Sequence, residues 1–157
     1  MSTVEKSIDV NVPITIAYNQ WTQFEQFPRF MGGVEKITQI NDTLTHWEVS
    51  IAGIDREFDA EITEQHPDER IAWRSVDGES HAGVVTFHRV EDAVTRINVQ
   101  IDWKPKDLLE KVGSVLQVDD IQIGNDLKNF KKLIESQGVE DGAWRGDVDR
   151  APDATGR

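Results

Sequence analysis

The sequence predicts an α+β fold: a curved antiparallel sheet of about seven strands around one long C-terminal helix, with two short helices after the first strand. Three observations carry this expectation. Apolar and polar residues alternate over about seven separate runs, the period of a sheet wetted on one face. Between the first and second runs the apolar spacing switches to three and four, and after Pro105 it does so again up to Gly138. That second helical stretch is the only element large enough to cover the sheet's apolar face.

The elements follow in order. Val4, Ile8, Val10 and Val12 share one face of a first strand, opposite Glu5, Ser7, Asp9 and Asn11. Pro13 suits a first helical turn, and Ile14, Ala17, Tyr18 and Trp21 then fall on one helical face. Pro28 divides WTQFEQFPRFM into two short helices that meet at an angle, because its ring cannot continue a helix from the preceding turn. After Gly32-Gly33 come the strand patterns Val34–Ile40; Thr45, Trp47, Val49, Ile51; Phe58, Ala60, Ile62; Ile71, Trp73; Val85, Phe87; and Thr95, Ile97, Val99, Ile101, Trp103. Asn41-Asp42, Gly53, Pro67-Asp68, Asp77-Gly78 and Glu91-Asp92 separate them, as hairpin turns require. Asp107 with Glu110 forms a capping-box pattern. Gly113 and Gly124 each cost about 1 kcal/mol in a helix interior, so a short lead-in helix and a longer final one are expected. Ile123, Leu127, Phe130 and Ile134 share the face of the latter. The organisation is one domain over residues 1–138 and an acidic, Gly-rich tail over 139–157, expected to be flexible. Trp144 stands alone in that tail.

A chain of 157 residues with 38% hydrophobic content has the size and composition of one globular domain. Seventeen Lys and Arg against 29 Asp and Glu leave a net charge of −12, which repels a phosphate backbone and argues against nucleic-acid binding. With no Cys, disulfides, thiolate catalysis and Cys-ligated zinc are excluded. Absence of Cys suits a reducing cytoplasm. MSTVEKSIDVNV lacks the apolar core of a signal peptide, and no run approaches the ~18 apolar residues of a membrane span. The expected localisation is cytoplasmic, without membrane insertion.

WTQFEQFPRFM followed by Val34, AEITEQHPDERIAWRS (Ala60–Ser75), GVVTFHRV (Gly83–Val90) and DLKNFKKLIESQG (Asp126–Gly138) resemble the START/Bet v 1-like, or SRPBCC, superfamily. Within it the chain is most similar to the bacterial polyketide cyclase/dehydrase-type group, and Gly142-Ala143-Trp144-Arg145-Gly146 is similar to the tail of actinobacterial members. The resemblance spans roughly Val4 to Val148 and implies a helix-grip fold. Lipid and sterol carriers, quinone-binding proteins and aromatase/cyclases share that fold, so its implication for function is broader than for architecture.

The inward set comprises Trp47, Val49, Phe58, Ile62, Ile71, Trp73, Phe87, Val99 and Trp103, with Phe30 and Met31 and the helix residues Ile123, Leu127 and Phe130. Alternating apolar positions are first of all burial signals; the resemblance adds the reading of a ligand-lined space between sheet and helix. Trp47, Trp73 and Trp103 each offer a flat apolar surface and one N–H donor. Ser75 and Arg89 share inward parity with Trp73 and Phe87. Arg56 and Arg74 are further candidates for orienting a carbonyl, and His81 for a pocket mouth; a surface arginine paired with a carboxylate is the simpler reading. His46 and His88 are expected to be exposed. The four His show no metal-ligand spacing, and no Ser-His-Asp order, P-loop, dinucleotide or zinc motif is present. No metal and no cofactor are implied.

The expected function is binding or transport of a small hydrophobic molecule, such as a lipid, quinone or polyketide, by a monomer or weak homodimer. The alternative is a polyketide aromatase/cyclase-dehydratase that orients its substrate in the same space, with Arg89, Ser75, Arg74 or His81 projecting into it. A third reading is an interaction module that uses the acidic surface and the Trp144 tail.

Overall fold

Alternation at the N-terminus becomes strand β1 (Ser2–Val10), and Pro13 ends the extended chain with its carbonyl accepting from the N–H groups of Ile16 and Ala17 at 3.0 and 3.2 Å. Helix α1 (Ile14–Trp21) follows, then a 3-10 turn over Phe24–Arg29 that holds Pro28. Two short helices thus follow the first strand as expected, but the break between them falls at Thr22-Gln23 and not at Pro28, which lies inside the 3-10 turn where its fixed φ is tolerated. A computed structural model describes residues 2–51, 54–76, 81–103, 113–139, 142–144, 146 and 148–149.

Strands β2 (Val34–Gln39), β3 (Leu44–Ile51), β4 (Ile54–His66), β5 (Arg70–Ser75), β6 (His81–Glu91) and β7 (Val94–Trp103) come next. They form one antiparallel sheet in the order β1-β7-β6-β5-β4-β3-β2. Turn chemistry sets the hairpins. The Asn41 carboxamide oxygen accepts from the N–H groups of Thr43 and Leu44, both at 2.9 Å, closing the β2–β3 turn. Asp68 takes φ of 62° between β4 and β5, a left-handed position that Asp tolerates better than most residues. Register shifts between Ile62 and Glu64 and between Arg89 and Glu91 interrupt the ladders, and bulges of this kind bend a sheet.

Helix α2 (Gly113–Gln137) crosses the concave face, burying Leu127, Phe130 and Ile134. Its end is tied to the end of β1. The Asn11 N–H donates to Glu135 Oε2 at 2.7 Å, and Lys131 Nζ donates to the Asp9 carbonyl at 3.0 Å. Gly124 was expected, with Gly113, to divide this region, yet α2 runs through Gly124 without a break. Packing of the apolar stripe outweighs a propensity cost of about 1 kcal/mol. The lead-in helix expected from Asp107 lies outside the described residues. In the segment expected to be a flexible tail, Val148–Asp149 form β8, antiparallel to Glu64–Gln65 of β4. No helix among the described residues is long and apolar enough to cross a membrane.

Nothing lies within 4 Å of a Cβ built on Gly124. Gly124→Ala is therefore expected to stabilise the protein by about 0.5–1 kcal/mol, read as a higher urea midpoint at unchanged slope.

Candidate functional site

Three structural units enclose a cavity against the middle of α2. Trp47 and Val49 of β3, Trp73 of β5, His81 of β6, Val4 of β1 and Ile101 of β7 form its sheet wall. Met31, Gly33 and Val34 close one side, and Gln122, Ile123 and Asp126 of α2 form the roof. The cavity measures about 60 Å³, room for a few waters and well below the ~300–1,000 Å³ of ligand pockets.

Aromatic rings have taken up the remaining width. Trp47 stacks on Phe58 with centroids 5.7 Å apart and on Trp73 at 5.6 Å, while Phe24 and Phe27 meet both indoles edge-on. The Trp73 indole also lies over Gly83. A Cβ at that position would stand 2.3 Å from the ring, so β6 admits only glycine there.

Both indole N–H groups are spent inside the protein. Trp47 Nε1 donates to Thr45 Oγ1 at 2.7 Å, and that hydroxyl donates to the Ala60 carbonyl at 3.0 Å. Trp73 Nε1 donates to His81 Nε2 at 3.0 Å. The sequence reading offered these N–H groups to a ligand oxygen, and the structure corrects it: buried donors are satisfied locally. His81 is correspondingly fixed. Its Nε2 accepts, so the proton of the neutral ring sits on Nδ1. Burial and the nearby charge of Arg56 push its pKa down to about 3. At neutral pH it is an uncharged wall, with ring contacts to Trp47 and Phe58.

Asp126 is the charged exception on an apolar roof. Its side chain is 4% exposed, and Oδ1 accepts both the Gly32 N–H at 3.0 Å and Gln122 Nε2 at 2.7 Å. Burial pushes its pKa up to about 6, against the pull of these two donors. Among the described residues no donor reaches Oδ2. Asp126 stands three residues after Ile123 and four before Phe130, on the helix stripe that faces the sheet. A carboxylate on an apolar stripe was the signal in the sequence, and the periodicity reading passed over it.

Comparison with known proteins decides the family. The sequence profile described as "Polyketide cyclase / dehydrase and lipid transport" matches residues 10–119. The chain belongs to that family. An uncharacterised 17.2 kDa protein of Streptomyces lincolnensis is 58% identical over 149 residues, covering 94% of this chain and 99% of its own. Among solved structures, a START superfamily protein from Mycobacterium smegmatis superposes with a TM-score of 0.73 at 14% identity, covering 87% of this chain and 99% of that one. The Zhui aromatase/cyclase from Streptomyces sp. R1128 gives 0.72 at 13% identity, covering 86% and 94%. The fold is the START/Bet v 1 helix grip.

Within this polyketide cyclase/dehydrase family member the sequence-predicted site residues separate into three groups. Met31, Trp47, Val49, Trp73 and Ile123 line the cavity. Phe30, Phe87, Val99, Leu127 and Phe130 are buried away from it: Phe30 and Phe130 pack with Trp21, and Phe87 packs with Tyr18. Phe58 is half-buried behind Trp47. Ser75 is buried as well, but its Oγ accepts the His81 N–H at 3.2 Å and positions β6. Arg89 is exposed, a correction to its expected inward aim. It lies two residues past Phe87, the last buried residue of β6, where a guanidinium stays in water rather than pay desolvation. Trp103 pairs with Ser2 and His81 through its backbone, and its side chain lies outside the described residues. His81 was placed at a pocket mouth but is an inner wall, 7% exposed. Arg74 is half-buried and is not on the cavity wall.

Two substitutions test this geometry. Gly83→Ala is expected to cost about 1–3 kcal/mol through displacement of the Trp73 ring, measured by urea unfolding with the near-ultraviolet Trp dichroism as a second readout. Asp126→Asn keeps an oxygen for Gly32 and Gln122 and removes the charge. Because the folded pKa lies above the unfolded value, the unfolded chain loses its proton first, and wild-type stability falls as pH rises from about 4 to about 6. The variant is expected to be more stable than wild type by about 1–2 kcal/mol at pH 8 and to lose that advantage at pH 4.

Proposed function

We propose that the protein binds a small hydrophobic molecule bearing one hydrogen-bonding group, in the space between sheet and α2, in a cytoplasmic setting. The observation that carries this reading is Asp126: a buried carboxyl among the residues that line a mainly apolar cavity, with Oδ1 held by Gly32 and Gln122. A carboxyl retained there, against its desolvation cost, suits a ligand hydroxyl or enol. Family membership supports the same class of function. At about 60 Å³ the cavity would have to widen to take such a ligand. Met31 and Gln122 on its wall are unbranched at Cβ, and rotation of their side chains is the route by which the space would widen for a ring-sized ligand.

Calorimetric titration with 1-naphthol, together with native mass spectrometry of the purified protein, is the test. Saturable one-to-one binding is expected, and Ile123→Trp, which fills the cavity, is expected to weaken it at least about tenfold. A flat wild-type titration with no retained apolar molecule overturns the proposal.

One observation favours the alternative of a cyclase. Asp126 changes charge near neutral pH beside the cavity, as a general base must. Its carboxylate would remove a proton from a methylene between two carbonyls; the enolate carbon would then bond to a ketone carbon of the same chain. The resulting alkoxide would recover the proton from Asp126, and loss of water would follow. Equal cyclisation rates of a poly-β-ketone thioester mimic with wild type and Asp126→Asn would dismiss this reading.

A further inference from the structure

A larger recess lies away from the interior cavity, between the 3-10 turn, the β2–β3 hairpin, β4 and the segment around Trp144. Its volume is about 320 Å³, at the lower end of the range for small-molecule sites. Glu25, Asp42, Gln23, Gln39, Gln65 and Trp144 contribute to its lining, which contains no Lys, Arg or His among the described residues.

The hydrogen-bond pattern gives this recess a chemical sense. Gln23 Nε2 donates to Thr22 Oγ1 at 2.8 Å, Gln39 Nε2 to the Asn41 carbonyl at 2.9 Å, and Gln65 Nε2 to the Trp144 carbonyl at 3.4 Å. The Thr22 hydroxyl is itself spent on the Asn19 carbonyl at 2.6 Å. One N–H of each of these three amide groups is thus turned into the protein, and Glu25 Oε2 accepts the Gln39 backbone N–H at 2.8 Å. The amides still offer both oxygen and N–H, and the fixed charge of the lining is that of the Glu25 and Asp42 carboxylates. Gln65 is 2% exposed, so its amide is a built floor rather than a surface side chain. The Trp144 wall is fixed from two sides, since its N–H donates to Thr22 Oγ1 at 3.0 Å while its carbonyl accepts from Gln65.

Two carboxylates with no cation in the lining among the described residues, beside amide groups and Trp144, suit a ligand that brings positive charge, donors and an apolar stem. We propose that this recess is a second binding site, for a small organic ammonium compound. The net charge of −12 favours approach of such a cation. The site shares no lining residue with the cavity beneath α2, and the proposal stands apart from the function assigned there.

The test is titration of ¹⁵N-labelled protein with 1,4-diaminobutane at constant ionic strength, with 1,4-butanediol as the uncharged counterpart. Saturable shifts confined to amides of residues 22–26, 39–42, 65 and 142–144 are expected with the diamine and not the diol. Asp42 is exposed, so Asp42→Asn should fold normally and weaken binding about tenfold. Ile123→Trp, in the other cavity, should leave it unchanged. No saturable shift, equal shifts with the diol, or shifts spread over the acidic surface and abolished by ~0.15 M salt would each overturn the proposal.

Discussion

The concave face of the sheet is wider than the one helix that covers it. Seven strands spaced about 4.8 Å apart span roughly 29 Å, whereas a helix with its side chains is about 10–12 Å across. Leu127, Phe130 and Ile134 seal only the strip beneath α2. The rest of the apolar face must be covered by other means, and this constraint organises the whole interior. Trp21, Phe24, Phe27 and Phe30, from α1 and the 3-10 turn, fill the flank with edge-on and stacked rings. Where that aromatic filling stops, beside Ile123 and Met31, the cavity begins.

That geometry also explains the electrostatics of the cavity. Burial disfavours the charged form of one ionisable group on each side of it, with different outcomes on the pH scale. His81, on the sheet, has given its lone pair to an indole and stays neutral far below physiological pH. Asp126, on the helix, keeps one oxygen uncommitted and changes charge close to neutrality. The outer face of the sheet behaves in the opposite way. His46 sits 2.7 Å from Asp59 and 3.2 Å from Glu57, and its hydrogen bond to Asp59 holds its pKa above the ordinary value. The carboxylate partner on the outer face and burial on the inner one account for the contrast.

Much of the architecture was legible because strand parity and helix spacing are local properties of the chain. Trp47, Val49, Ile62, Ile71, Trp73, Val85, Ile97 and Val99 alternate in sequence and are buried in the structure. Parity assigns a face but not a depth along the strand, so Phe87 and Arg89 read alike although one is buried and the other in water. Nor does parity say where an N–H points: the partners of Trp47 and Trp73, Thr45 and His81, are two and eight residues away in sequence. Asp126 was legible in principle, as a carboxylate on an apolar stripe, but its meaning depends on Gly32, 94 residues distant. The recess at Trp144 could not be read at all, because three separated segments and two tail residues make it.

The pairing of β8 with Glu64–Gln65 has a consequence for solubility. β3 pairs with β4 only as far as Leu44 opposite Glu61, so the last part of β4 would have a bare flank without Val148–Asp149. Unpaired N–H and C=O groups in a row are a template for a neighbouring copy's strand. Val148 and Asp149 thus cover that flank of β4, and removing them would expose an edge open to pairing with another strand.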